Sequence, residues 1–166
     1  PNIESNVPTA QNVPKPVFYG SFEHSVDPKG RLIIPVAYRK NLGSTFVVSI
    51  TRDGKGIGLY PNEVFDELFS DVFSLNQRRS AVVAYRNIMA KFSFPESSVD
   101  SQGRVLLPAK LRSTLLDDAT EVEISGAIDH IRIVSSQMAA EEEKNFFENR
   151  DSILEEIAGM LDQLNQ

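Results

Sequence analysis

The sequence predicts an α+β protein made of two similar halves with flanking helices, and two observations carry this prediction. A ten-residue stretch that begins at Val26 recurs, with substitutions, 73 residues later at Val99. After each copy, short helical segments, β-branched segments and glycine-containing turns follow in the same order. Because two copies are too few for a solenoid, we interpret them as homologous halves related by a pseudo-twofold axis.

The repeat is specific at the level of single residues. It aligns VDPKGRLIIP with VDSQGRVLLP and continues through Arg39 and Arg112 to Leu42 and Leu115. Seven of 17 aligned positions are identical, and the apolar triplets between arginine and proline are conservative matches. The same offset aligns the apolar segment that ends at Tyr60 with residues 131–133. Each half is therefore predicted to contain the same elements.

In the first half, the elements follow from periodicity and from the positions of glycine and proline. Phe18, Phe22 and Val26 share one parity, which predicts a strand over 17–26 before a turn over 27–30. The next predicted elements are a strand at 31–34, a helix at 35–42 and strands at 45–51 and 57–60, joined by a hairpin turn at 53–56. A helix beginning at Pro61 carries an apolar stripe of Val64, Phe65, Leu68, Phe69 and Val72.

The second half repeats these elements, and two helical segments lie outside the repeat. The repeated elements are strands near 92–99, 103–107, 120–125 and 130–134 and helices near 108–116 and 136–148. A helical connector over 75–91 is expected to turn Val82, Tyr85, Ile88, Met89 and Phe92 inward. A terminal helix over 151–165 has the capping-box spacing at Ser152 and Glu155. Its apolar seam consists of Ile153, Leu154, Ile157, Met160, Leu161 and Leu164.

These elements divide the chain into five segments. They are a flexible N-terminal arm at 1–16, a first repeat at 17–73, a helical connector at 74–91, a second repeat at 92–150 and a C-terminal helix at 151–166. The seam of the C-terminal helix packs either on its own domain or on a neighbouring subunit. We favour the subunit contact, because the repeats already account for a core.

The composition is that of an ordinary globular domain and excludes several kinds of site. Of the 166 residues, 41% are hydrophobic and 24% are charged, which is enough apolar material for a core. The absence of cysteine excludes disulfide bonds, thiolate metal sites and cysteine nucleophiles. No apolar run approaches the ~18 residues of a membrane span, and we expect no signal peptide at the start.

The charge is distributed unevenly along the chain. The net charge of −6 combines 14 Lys and Arg against 10 Asp and Glu in residues 1–112 with 3 against 13 in residues 113–166. The first segment is therefore basic and the second is strongly acidic. We expect a basic face on the repeats and a solvated acidic face on the last segment.

The candidate functional site is the pair of Asp-x-x-Gly-Arg turns, one in each repeat. Each turn places a glycine directly before an arginine that begins a strand. Pseudo-symmetry would present Lys29, Arg31 and Arg104 together at one end of the sheet, with Gln102 in the place of Lys29. Because Arg and Lys neutralise phosphates and Arg binds a guanine edge bidentately, the pattern indicates a DNA-binding surface.

A structural interpretation of the same turns is open beside the functional one. Ion pairs between aspartate and arginine would lock each turn, together with the glycine before the arginine. The turn-locking residues are Asp27, Gly30, Asp100 and Gly103. Both roles coexist if each aspartate positions an arginine that contacts phosphate. The other basic residues either extend a basic face or are ordinary solvated charges: Arg39, Lys40, Lys110 and Arg112 on the short helices, and Arg78, Arg79 and Arg86 on the connector.

The sequence predicts no catalytic residue, no metal ligand, no cofactor and no small-molecule substrate. His24 and His130 are the two histidines, and neither has a partner at i,i+4, so we expect structural or surface roles for both. The glycine-rich residues 54–58 are followed by a strand rather than a helix N-terminus, which favours a hairpin turn over a phosphate-binding loop. An enzyme is therefore not expected.

The two turns and their surroundings resemble the MraZ family. The resemblance rests on FYG at 18–20, EHSVDPKGRLIIP at 23–35, the weaker second copy and LYP at 59–61, and it covers about residues 17–140. It implies two pseudo-symmetric AbrB-like swapped-hairpin β-barrel halves, since the family looks like a tandem member of the AbrB/SpoVT superfamily. It also implies DNA contact by Lys29, Arg31 and Arg104, because the matching family motif lines the DNA-facing surface.

The resemblance implies a function as well as a fold. It implies a bacterial transcriptional regulator that binds double-stranded DNA at direct repeats upstream of its own gene and represses the division and cell-wall gene cluster. Such a protein would act in the cytoplasm at the nucleoid as a ring-shaped homo-oligomer, often an octamer. The alternative is a structural or adaptor oligomer that does not bind DNA, in which the Asp–Arg pairs stabilise turns and the acidic helix recruits a partner.

Overall fold

The computed structural model describes residues 15–166, in which eight β-strands and six α-helices follow one another. The first half and the connector form β1 (Ser21–Ser25), β2 (Arg31–Ile33), α1 (Val36–Leu42), β3 (Phe46–Ile50), β4 (Ile57–Pro61), α2 (Asn62–Ser74) and α3 (Ser80–Lys91). The remainder forms β5 (Phe94–Ser97), β6 (Arg104–Leu106), α4 (Ala109–Leu115), β7 (Glu121–Gly126), β8 (Ile131–Ser135), α5 (Ser136–Glu148) and α6 (Arg150–Leu164). The predicted mixture of helices and antiparallel strands is confirmed. The arm expected at 1–16 lies outside the described residues except for its last two positions.

The strands form one six-stranded antiparallel sheet and a separate two-stranded ribbon. The strand order of the sheet is β1-β7-β8-β4-β3-β5, and the ribbon pairs β2 with β6. The first strand of each half pairs with a strand of the other half, because β1 lies beside β7 and β5 lies beside β3. The two halves are also joined by β4 and β8 at the centre of the sheet.

The two halves share one hydrophobic core. Leu32 and Val105 are directly paired at the centre of the ribbon and are 0% and 1% exposed. Tyr38 of α1 packs edge-to-face on Phe18 and Phe22, which ties the first helix to β1. The four central strands of the sheet contribute Phe46, Val48, Ile57, Leu59, Val122, Ile124, Ile131 and Ile133 to the same core.

The hairpin between β3 and β4 is closed by side-chain hydrogen bonds within its turn. The hydroxyl of Thr51 donates to Oδ1 of Asp53 at 2.6 Å, and the backbone N–H of Lys55 donates to the same oxygen at 3.0 Å. Gly54 adopts a φ of +74° in this turn. The predicted hairpin turn at 53–56 is confirmed.

Three predicted details differ from the structure. The strand expected over 17–26 is reduced to β1 and a single bridge at Phe18, because Gly20 has a φ of +82° and interrupts the extended backbone. The strand expected over 92–99 is similarly reduced to β5, in which Glu96 has a φ of +58°. Ile88 was expected to point inward but is 41% exposed.

The last helix begins one residue earlier than expected and has a different cap. The N-cap of α6 is Asn149, so Ser152 lies inside the first turn and the predicted capping box with Glu155 is wrong. Asn149 is the one residue between the end of α5 at Glu148 and the start of α6 at Arg150. No side chain of α6 is buried, and its apolar seam therefore does not belong to the core of this chain.

Among residues 15–166, no helix is both long enough and apolar enough to cross a membrane.

Candidate nucleic-acid interface

The first Asp-x-x-Gly-Arg turn is closed by its own aspartate. Oδ1 of Asp27 accepts the backbone N–H groups of Lys29 and Arg31 at 2.9 and 2.8 Å, and Oδ2 accepts Nε of Arg31 at 2.7 Å. The backbone N–H of Gly30 donates to the carbonyl of Asp27 at 2.9 Å. Gly30 has a φ of +82°, a conformation that is strained for residues with a Cβ. The carboxylate therefore holds both the turn backbone and one edge of the arginine.

The second turn has the same hydrogen bonds. Oδ1 of Asp100 accepts the backbone N–H groups of Gln102 and Arg104, both at 2.9 Å, and Oδ2 accepts Nε of Arg104 at 2.9 Å. Gly103 has a φ of +78°. Both ion pairs required by the structural interpretation are thus present, and each leaves the Nη end of its arginine outside the Asp–Arg hydrogen bonds.

Hydrogen bonds favour the charged form of both aspartates. The backbone N–H of Arg31 holds the pKa of Asp27 below its usual range, and the guanidinium of Arg31 acts in the same direction. The backbone N–H of Arg104 likewise lowers the pKa of Asp100. Each turn therefore keeps an ionised carboxylate at neutral pH whose two oxygens are occupied by donors of the same turn.

The ribbon brings the two motif arginines onto one face, although the turns themselves lie apart. Arg31 pairs with Leu106 and Ile33 pairs with Arg104, so the two arginines are diagonal neighbours about 7–8 Å apart. Because β2 and β6 are antiparallel, the turns that precede them lie at opposite ends of the ribbon. The expectation that both turns project from one end of the sheet is therefore wrong, since it did not consider this pairing.

Each turn is covered by an arginine from the opposite half, a contact that the sequence analysis did not predict. A Cβ built on Gly30 would lie 2.6 Å from Cζ of Arg112, and one built on Gly103 would overlap the guanidinium of Arg39. Nε of each covering arginine donates to the backbone carbonyl five residues earlier, at 2.9 Å for Arg39 and 3.0 Å for Arg112. The repeat, which aligns these two arginines, is the sequence signal that pointed to them.

The two turns and the two covering arginines form what we call the composite turn face. Its members are Asp27, Lys29, Arg31, Arg39, Asp100, Gln102, Arg104 and Arg112. Within residues 15–166, no hydrogen bond or ion pair uses Nζ of its lysine or any Nη atom of its arginines. Since the described residues contain no buried side-chain nitrogen or oxygen without a partner, none of these donors is fully buried. Five cations against two carboxylates leave this face with a net charge of +3.

The remaining basic residues considered from the sequence have other surroundings. Nζ of Lys110 lies 4.9 Å from the centre of the Phe92 ring, and Nη1 of Arg86 donates to Gln77 at 3.0 Å. Lys40 is exposed on α1, and Arg78 and Arg79 are exposed before α3. For the connector arginines, the interpretation as ordinary charges agrees with these positions.

The histidines do not form a metal site in the described part of the chain, where no cluster of three or more His, Cys, Asp and Glu could hold an ion. His130 is buried, its ring stacks on Tyr60 at 4.7 Å, and Nδ1 lies 2.7 Å from Oδ1 of Asp129. Burial lowers the pKa of His130. Asp129 also accepts two hydrogen bonds from Arg52, so this cluster joins the two halves by hydrogen bonds.

Comparisons with known proteins match this chain to one family model and to several proteins named as transcriptional regulators. The family model described as "MraZ protein, putative antitoxin-like" matches residues 17–83. A protein of Lachnoclostridium phytofermentans named transcriptional regulator MraZ is 32% identical over 142 residues, which cover 86% of this chain and 96% of the relative. A protein of the same name from Thermoanaerobacter sp. is 31% identical over 88% of this chain and 97% of its own length. Another, from Lactiplantibacillus plantarum, is 40% identical over 58% of this chain and 67% of its own length.

Proposed function

The chain belongs to the MraZ family of transcriptional regulators, and on this premise we propose that it regulates transcription by binding double-stranded DNA through the composite turn face. The family is one of regulators, so the chain is not an enzyme. The observation that carries the proposal is the set of Nη and Nζ donors at the two ends of one β-ribbon that have no partner within residues 15–166. Such donors are the groups that neutralise phosphates and bind guanine edges.

The residues of this face divide into two roles in our proposal. Asp27 and Asp100 lock the turns together with Gly30 and Gly103 and orient the adjacent arginines. The contacts to DNA are then made by Lys29, Arg31 and Arg104, which the family motif implies, by Gln102 in the place of Lys29, and by the two covering arginines. A two-stranded ribbon is one of the elements that the major groove admits, which supports base contacts by Arg31 and Arg104 and phosphate contacts by the residues at the ribbon ends.

We also assign the fold to the AbrB-like swapped-hairpin barrel type. The pairing of β1 with β7 and of β5 with β3 supports this assignment, since each half receives a strand from the other. The division into an arm at 1–16, repeats at 17–73 and 92–150, a connector at 74–91 and a helix at 151–166 is part of the same proposal. The repeats are separate in sequence, but their strands interdigitate.

Direct repeats and a ring-shaped homo-oligomer, with eight copies favoured, complete the proposed mode of binding. A single turn face offers few contacts, so its affinity for one short DNA box is expected to be low. A ring presents several faces to neighbouring boxes, and the effective concentration of the second and later faces then supplies most of the affinity. We propose repression of the division and cell-wall gene cluster from boxes upstream of the chain's own gene, in the cytoplasm at the nucleoid.

The decisive experiment is a fluorescence-anisotropy titration with DNA from upstream of the chain's own gene and with scrambled DNA, at two salt concentrations. We expect the native DNA to be preferred and its affinity to fall as salt rises, because counterions are released from the neutralised phosphates. Arg31→Ala/Arg104→Ala should weaken binding at least tenfold, since each lost arginine contact costs about 1–3 kcal/mol. Arg39→Ala/Arg112→Ala should weaken it as well while both Asp–Arg pairs remain intact.

The matched control is Arg78→Ala/Arg79→Ala, which removes the same charge from exposed positions before α3. This variant should bind like the wild type. Equal affinity for native and scrambled DNA, together with no effect of the motif variants, would reject the proposal. That result would favour the structural or adaptor oligomer, for which the exposed seam of α6 is the supporting observation.

A further inference from the structure

The outer face of the β2–β6 ribbon carries two exposed apolar side chains that the cationic contacts do not use. Ile33 is 47% exposed and Leu106 is 60% exposed. Both lie on the face opposite the buried Leu32 and Val105, because successive side chains of a strand point to opposite sides. They occupy the middle of the composite turn face, between its two ends.

Each of these apolar side chains has a motif arginine directly across the ribbon. Ile33 pairs with Arg104, and Leu106 pairs with Arg31. Directly opposite residues have Cβ atoms about 4.5–5.5 Å apart. The outer face is therefore a two-by-two arrangement in which the arginines occupy one diagonal and the apolar side chains occupy the other.

The charge around the apolar pair indicates what covers it. Both carboxylates of the composite turn face are occupied by donors of their own turns, whereas its five cations keep donors that have no partner among residues 15–166. An apolar protein surface placed here would remove water from these cations without giving them partners, which is unfavourable. A polyanion that also offers apolar groups satisfies both parts of the face, and duplex DNA has this combination in its major groove.

We propose that Ile33 and Leu106 contact the C5-methyl groups of thymine in the major groove and so contribute to base discrimination beside Arg31 and Arg104. The inference rests on the proposed DNA-binding function. The thymine methyl is the apolar group that base edges present in this groove, and guanine presents the acceptors that arginine binds there. Neighbouring bases of one strand are ~3.4 Å apart along the axis, so an arginine and the apolar side chain across from it can reach nearby bases.

The test compares thymine with deoxyuridine, which differs from it by the absence of the C5-methyl group. A duplex is first enriched from a randomised pool on the wild-type full chain, and its thymines are then replaced by deoxyuridine singly and together. We expect the wild type to lose about fourfold in affinity for each contacted thymine, which corresponds to ~0.8 kcal/mol for one buried methylene-sized group. Ile33→Ser/Leu106→Ser should bind the two kinds of duplex equally well.

The control variant is Leu75→Ser, which changes a 53% exposed leucine between α2 and α3 and should discriminate like the wild type. Thermal unfolding of all variants checks that the fold is retained, as expected for exposed positions. Discrimination retained in the double variant would overturn the inference. So would a double variant whose assembly mass changes in sedimentation without DNA, because the pair would then contact a second copy of the chain.

Two further outcomes separate the inference from the function on which it rests. If the wild type prefers the enriched sequence but binds thymine and deoxyuridine duplexes equally, the DNA-binding function stands and the methyl contacts do not. If the wild type enriches no sequence and binds no duplex, both are rejected.

Discussion

Gly30, Gly103 and Gly54 share one backbone conformation but differ in what surrounds them. Their φ values are +82°, +78° and +74°. A Cβ on Gly30 or Gly103 would overlap the guanidinium of the covering arginine, whereas a Cβ on Gly54 would meet nothing within 4 Å. The three positions therefore separate the cost of backbone strain from the cost of displacing an arginine.

We predict that Gly30→Ala and Gly103→Ala destabilise the fold more than Gly54→Ala does. All three introduce a side chain at positive φ, which costs about 1–2 kcal/mol per residue. The two turn variants must also displace Arg112 or Arg39, which widens the difference. Urea unfolding gives the free energies, and Arg112→Ala should remove the excess cost of Gly30→Ala. Equal losses at all three positions would mean that the guanidinium groups move without cost.

At the scale of elements, α6 differs from every other helix of the described residues in having no buried side chain. Leu154, Ile157 and Leu161 on its apolar seam are 53%, 46% and 54% exposed. The short helix α4 is the contrasting case, because Leu111 is completely buried in the shared core. The stability of the single chain should therefore depend on α4 and not on the α6 seam.

We predict that Leu154→Ala/Leu161→Ala leaves the free energy of unfolding of the single chain within about 0.5 kcal/mol of the wild type, as for surface substitutions in general. Leu111→Ala should cost about 2–5 kcal/mol, because it removes buried contacts and leaves a cavity. Chemical denaturation at low protein concentration measures both. A large loss in the double variant at every concentration would show that the seam packs on its own chain.

At the scale of the whole molecule, neither half of the sequence contains a complete set of paired strands. β1 needs β7, β5 needs β3, and each strand of the ribbon needs the other. The core residues Leu32 and Val105 are likewise buried against each other from opposite halves. Stability is therefore a property of the two halves together.

We predict that residues 1–91 and 92–166, produced as separate chains, do not unfold cooperatively as monomers. Each piece would leave strands without the strands that they pair with in the full chain, and it would expose core side chains to water. An equimolar mixture should recover the circular dichroism spectrum and a cooperative unfolding transition, because the exchanged strands then find their partners. A sharp monomeric transition in either piece alone would contradict this expectation.

Much of this architecture was predictable because it depends on local chemistry. The positions of α1, α4 and α5, the β3–β4 hairpin and the two glycine turns follow from prolines, glycines and periodicity that act within a few residues. The spacing of Asp27 and Asp100 from their arginines was enough to raise the possibility of ion pairs. The predictions of an inward-facing Ile88 and of a capping box at Ser152 were wrong. Burial and the first residue of a helix depend on tertiary packing, which the periodicity of the sequence does not reveal.

The sequence by itself determined the two halves, their turns, the candidate residues and the family resemblance, since a repeat and turn chemistry are written in neighbouring residues. Only the tertiary structure decided which strands of one half pair with which strands of the other, and where the two turns lie relative to each other. It also decided that Arg39 and Arg112 each cover the turn of the opposite half. Those features join residues that are 46 to 104 positions apart along the chain. They depend on strand pairing and shared burial, which no short stretch of sequence specifies.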